Sequence, residues 1–162
     1  FNHESPRRGQ TFVTRKITLA MSKIKLGLLD SFELGNLDAK RDWGYAGDYV
    51  EFMWHMLQQK TPDDFVIATG RSHTVRDFVL KTAEALDMKI HFEGKGMKEV
   101  AKDDRGKVIL RISKKFYRPT DVHYLLGDAS KAKKKLNWEA KTSFEELVSM
   151  MAKADYDKLR SS

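Results

Sequence analysis

The chain has 162 residues, 41% of them hydrophobic and 33% charged, which suits a globular domain with a core of its own. It carries no cysteine, which excludes disulfides, cysteine-held zinc and thiol nucleophiles within these residues. The formal net charge of +7 points to an anionic partner, either a nucleic acid or a small phosphate-bearing ligand.

The first nine residues, Phe1-Asn2-His3-Glu4-Ser5-Pro6-Arg7-Arg8-Gly9, are polar and punctuated by proline. Asn2 offers an amide to phosphate or sugar oxygens, Pro6 fixes the backbone ahead of two arginines, and Gly9 permits a tight exit. The stretch reads as an anion-gripping loop preceded by something else. An ordinary turn with its arginines in water is the competing reading. Val13, Ile17, Ala20 and Ile24 then recur at helical spacing, which predicts a helix over residues 11–26 stopped by Gly27. Phe32-Glu33-Leu34 is a short strand, followed by a polar turn over residues 35–40. Tyr49, Phe52, Met53, Met56 and Leu57 line one face of a helix that starts near Asp48 and ends before Pro62.

The run over residues 64–69, closed by Gly70, predicts a buried strand of a parallel sheet. Thr74 and Asp77 form a capping box for a helix with Val75, Phe78, Val79, Thr82 and Leu86 on one face. Residues 89–93 alternate like a strand. The glycine-rich, charged segment 94–107 has no periodicity and is expected to be a loop. Another strand is expected over 108–112 and a lysine-rich helix over 129–136. In the latter, Lys131, Lys133, Lys134 and Lys135 read as a solvated face. Ser143 and Glu146 cap a last helix running to about residue 159. Alternating helices and strands argue an α/β fold. The longest apolar runs, such as Phe65-Val66-Ile67-Ala68, are too short to span a membrane, and no signal peptide is visible; a cytoplasmic location is expected.

Familiar catalytic signatures are missing. Gly94-Lys95-Gly96 places Glu99 where a dinucleotide loop needs its third glycine. There is no P-loop, no H-E-x-x-H metal motif, no G-x-S-x-G elbow, and no tyrosine followed four residues later by lysine. Three anion-gripping constellations remain. The opening loop is one. Arg41-Asp42-Trp43 is the second: Asp42 is placed to hold the guanidinium and Trp43 to wall a planar group, against the alternative of a surface ion pair beside a core tryptophan. Tyr117-Arg118-Pro119-Thr120-Asp121 is the third, where Arg118 suits a diphosphate and Asp121 a ribose hydroxyl, against the alternative of a solvated turn.

In this order, these motifs resemble one family. From Phe1 to about Met150 the chain is similar to the C-terminal portion of the GDP-mannose 4,6-dehydratase family, a branch of the extended short-chain dehydrogenases/reductases. Leu34 through Trp43, Asp64 through Gly70, and Gly127-Asp128 followed by Lys131-Ala132-Lys133 carry the likeness further. The resemblance implies the last core strands of an extended Rossmann-type fold plus a small sugar-nucleotide-binding subdomain, as one unit over residues 1–162. It implies that His3 and Arg8 touch NADP. It also implies that Asn2, Val13, Lys16, Arg41, Arg118 and Asp121 hold GDP-mannose. Asp121 stands where the family usually has Glu, which puts its ribose contact in question. Asn137 stands where a Gly is common, a helix-end position that asparagine tolerates. The implied reaction converts GDP-mannose to GDP-4-keto-6-deoxymannose with an internal hydride relay. Its Tyr-Lys pair, elimination residues and glycine-rich loop are expected upstream of Phe1, so no catalytic residue is assigned here and the chain alone is expected to be inactive. Dimers or tetramers are expected of the full-length enzyme. Two other readings stay open: a sibling epimerase, decarboxylase or reductase on the same scaffold, and a basic module for RNA or an acidic protein.

Overall fold

A computed structural model describes residues 1–117 and 122–161. The predicted first helix forms as α1 (Val13–Lys25), and Gly27, at φ 72°, turns the chain away after it. α3 (Val75–Ala85) and α5 (Phe144–Arg160) both begin on complete capping boxes, Thr74 with Asp77 and Ser143 with Glu146. Each helix has one apolar stripe, and these stripes meet: Ile17 and Met21 of α1, Phe78 and Val79 of α3, and Leu147, Val148 and Met151 of α5 share one core.

This helical layer is joined in the core by a mixed four-stranded sheet in the order β2 (Phe32–Leu34), β8 (Val108–Ile112), β7 (Val100–Asp103), β6 (Ile90–Glu93). β2 runs parallel to β8, and the other pairs are antiparallel. Segment 94–107 is therefore not a plain loop. It holds a 3-10 turn (Gly96–Lys98) and all of β7. Val100-Ala101-Lys102-Asp103 is too short and mixed to announce a strand; bonding partners on both edges and the burial of Ala101 make it one.

Two smaller ladders complete the fold. β1 (Asn2–Glu4) pairs in parallel with β4 (Trp43–Tyr45), and β3 (Lys40–Arg41) pairs antiparallel with β5 (His73–Thr74). Segment 64–69 is a second correction: no strand forms there. Instead, the α-amino group of Phe1 donates to the Ile67 carbonyl at 3.0 Å, and the Thr69 amide donates to Asp42 at 2.9 Å. A single main-chain bond and a buried carboxylate thus stand in for a ladder. A separate apolar cluster joins α2 (Ala46–Leu57) to α4 (Ser130–Leu136) through Tyr49, Phe52, Ala132 and Trp138. Met53 and Leu57, expected on that buried face, instead lie outside with Val50 and Trp54. Asn137 closes α4 in the left-handed region, as its position suggested. Among the described residues, no helix is long and apolar enough to cross a membrane.

Candidate functional site

The opening loop is built around buried polar groups. Glu4, the last residue of β1, is 2% exposed. It accepts from the Thr14 hydroxyl at 2.6 Å, and its carboxylate lies 3.2 Å from Arg8 Nε. Burial pushes the Glu4 carboxyl above its usual range, with Thr14 and Arg8 pulling it back. Arg8 also lies over the Phe12 ring, 3.6 Å from its centroid. Its buried Nε faces the Glu4 carboxylate without being in line for a hydrogen bond, so the guanidinium is held between Glu4 and the Phe12 ring. His3 is exposed, with Nδ1 3.1 Å from the Phe1 carbonyl oxygen and its ring 5.6 Å from that of Tyr49. Burial, aided by the carboxylates of Asp42, Asp48 and Glu4, pushes the Tyr49 hydroxyl well above its usual range.

Lys16 emerges from the second turn of α1 and places its ammonium 3.3 Å from the centroid of the Phe116 ring. Partial burial holds its pKa below the ordinary lysine value, with Lys115 acting in the same sense and Glu33 against. Val13, one turn earlier, is half-buried against the main core. The Phe116 backbone lies close to Gly35, where any Cβ would meet the Phe116 carbonyl oxygen at 2.1 Å. Close backbone approach, rather than a special φ, explains the glycine of Leu34-Gly35-Asn36.

Arg41 is held differently from the expectation. Its guanidinium donates to the carbonyls of Lys40 and Val122. Asp42 is fully buried and turns away, accepting from the amides of Thr69, Gly70 and Gly127 and from the Thr69 hydroxyl at 2.7–3.2 Å. Trp43 packs in the core against Phe78 and Phe144, at ring distances of 5.4 and 6.3 Å. In Arg-Asp-Trp, then, the arginine bonds main-chain carbonyls near the surface while the aspartate and tryptophan are buried. Arg118 and Asp121 lie outside the described residues.

The structure describes the residues that flank the third motif in the chain. Lys16 and Gly35 hold Phe116 on one side, and Arg41 holds Val122 on the other. A cleft of about 560 Å³ is lined by Asn36, Asp38, Met97, Glu99, Lys114 and Tyr117. Arg76 braces its wall by pairing with both Asp38 and Glu99. A larger concavity, about 680 Å³, lies among Trp43, Thr69, His73, Lys133, Trp138 and Phe144, and none of the described residues assigned to NADP or GDP-mannose from the sequence lines it. The lysine cluster is engaged: Lys131 and Lys135 pair with Asp63, and Lys133 with Glu139.

Comparison with known proteins decides the family. A family model described as GDP-mannose 4,6 dehydratase matches residues 1–151. The chain belongs to the GDP-mannose 4,6-dehydratase family. Members from Drosophila melanogaster and Homo sapiens are each 55% identical over 161 residues, which is 99% of this chain and 41% and 43% of theirs. The chain thus spans less than half the length of these relatives. Among solved structures, an RMD from Pseudomonas aeruginosa complexed with NADPH is similar with a TM-score of 0.78 at 14% identity, covering 98% of this chain and 47% of that one. A UDP-glucose 4-epimerase from Thermotoga maritima with UDP-glucose gives 0.67 at 22% identity, covering 99% and 45%. At such identities these likenesses speak for the α/β, Rossmann-type fold alone.

The sequence reading missed Glu4, Thr14, Arg15 and Asp155 as builders of the site. A signal was present. Thr14, Arg15 and Thr18 occupy inward positions of α1, and Asp155 continues the stripe of Val148, Met151 and Ala152 along α5. Polar residues on an apolar stripe require partners.

Proposed function

We propose that this chain is the C-terminal, sugar-nucleotide-binding portion of a GDP-mannose 4,6-dehydratase, with a remnant of the dinucleotide-binding domain, acting in the cytoplasm within a self-associating enzyme. The observation that carries the reading is a pair of contacts: Lys16 and Arg41, on α1 and β3, touch Phe116 and Val122, which flank the segment that contains Arg118 and Asp121. Cations contacting residues that flank Arg118 and Asp121 in the chain are of the type that suits a diphosphate. Asn2, Val13, Lys16, Arg41, Arg118 and Asp121 hold GDP-mannose in this reading, and His3 and Arg8 hold NADP. Arg8, paired with Glu4 through Nε, keeps part of its side chain at the surface, which suits an anionic cofactor. NADP, held by His3 and Arg8, would supply the hydride acceptor and donor that the conversion of GDP-mannose to its 4-keto-6-deoxy product needs. The residues of this chain bind and orient, which lowers a barrier by several kcal/mol when two reactants are held in register. The acid/base groups belong to the remainder of the protein.

The test joins this chain to the remainder of the Homo sapiens relative. Arg118→Ala in that chimera should weaken GDP-mannose binding by about 1.5–3 kcal/mol, measured by calorimetry. Unchanged affinity would remove Arg118 from the site. The 162-residue chain alone should show no dehydration of GDP-mannose; detectable product would contradict the division of labour.

A further inference from the structure

We infer that α5 orders the anion loop through one buried side chain, Asp155, acting as a positioning residue for Arg8. Asp155 is 1% exposed on the core face of α5. Both of its carboxylate oxygens accept from Arg15 Nε at 2.8 Å, one is 2.6 Å from Arg15 Nη2, and the Thr18 hydroxyl donates to it at 2.7 Å. A guanidinium is planar, so fixing one edge fixes the direction of the other. The remaining nitrogen, Nη1, donates to the carbonyl of Pro6 and, at 3.0 Å, to that of Arg8. These two carbonyls flank Arg7, and the second belongs to the residue caged by Glu4 and Phe12.

The loop's own bonds are local. The Arg8 amide donates to the Ser5 carbonyl at 2.9 Å and the Arg7 amide to the Ser5 hydroxyl at 3.1 Å. Such a turn closes without being aimed. Arg15 supplies the aim, because it ties the loop carbonyls to a helix 140 residues further along the chain. A lysine at position 15 would keep the buried charge pair, but one ammonium lacks the fork that spans a carboxylate on one edge and two carbonyls on the other.

The assignment of a cofactor to Arg8 rests on the proposed function, so the test has two arms. Hydrogen exchange at the Arg7 and Arg8 amides is followed in the 162-residue chain. NADPH and GDP dissociation constants are measured in the chimera. Asp155→Asn and Arg15→Lys are compared with Ser22→Ala, which removes a different α1–α5 link, the 3.4 Å bond from Ser22 to the Ala152 carbonyl. Thr18→Val serves as a milder variant should the others fail to fold. Exchange at the two loop amides should rise in the test variants and not in the control. The NADPH dissociation constant should rise about tenfold, the loss expected from one charge-assisted hydrogen bond, while that for GDP stays within about twofold. Unchanged exchange overturns the inference. So does a loosened loop with unaltered NADPH affinity. An equal loss of NADPH and GDP binding, or of protection throughout the chain, also overturns it by marking the pair as merely structural. Should the parent chimera bind no NADPH, the cofactor reading fails and the exchange arm alone decides whether α5 orders the loop.

Discussion

The carboxylate of Asp42 organises three separate stretches of backbone, because Thr69, Gly70 and Gly127 all donate their amides to it. Asp42→Ala leaves those amides without that acceptor in a buried place and should destabilise the chain by about 3 kcal/mol. Urea unfolding measures this; a loss under about 1 kcal/mol would mean that water replaces the carboxylate. Glu4 gives a dependence on pH. Its folded pKa is raised above the unfolded value of 4.5, chiefly by burial. The folded state therefore holds the proton more tightly, and Glu4's contribution is full below pH 4.5 and is lost as pH rises through the folded value. Glu4→Gln should remove this part of the profile, so its melting temperature relative to the parent should rise from pH 4 to pH 7. A flat difference across that range would rule out burial as the dominant influence. Neither side chain declares this in the sequence, where each is one acidic residue in a motif rich in arginine.

At the scale of elements, Gly35 and the caps make distinct demands. Gly35→Ala would drive a methyl group into the Phe116 carbonyl at 2.1 Å, and the backbone must move. The expected destabilisation is about 1–3 kcal/mol, with weaker GDP binding in the chimera as the segment after Phe116 shifts. Equal stability and equal affinity would show that the strand and loop separate freely. The helix starts were legible because a capping box is local: Thr74 and Ser143 bond their own first turns. β7 was not legible, since its bonds go to β6 and β8, and neither β1 nor β4 reads as a strand without the other. α2 was legible as a helix but not in its facing, because Met53 and Leu57 are as apolar as the buried Phe52 and the partly buried Met56 beside them.

The whole molecule leaves Val50, Met53, Trp54 and Leu57 in a row on α2, with Trp54 59% and Leu57 82% exposed. A stripe of that kind favours association in water. Sedimentation velocity at rising concentration should show a reversible increase in mass, and Trp54→Lys should suppress it. A monomer at every concentration would count against the stripe as an associating surface. Charge at this scale is distributed rather than massed: Lys131 and Lys135 share Asp63, and Lys141 pairs with Glu51. The lysines of α4 are thus partly compensated by Asp63 and Glu139, which lessens the share of the net charge of +7 that this helix presents.

The sequence by itself determined the α/β class, the helices α1, α2, α3 and α5 with the capping boxes of the last two, and the motifs that mark the family. Those signals are carried by residues close in the chain, through periodicity, capping and turn chemistry. Only the tertiary structure decided how the motifs are held. Arg41 reaches the Val122 carbonyl, Lys16 finds Phe116, and Arg15 finds Asp155, each across many tens of residues. It also decided that Asp42 serves the backbone rather than its neighbouring arginine. The physical reason is that a buried charge must find a partner wherever the fold places one, and that placement is a property of packing.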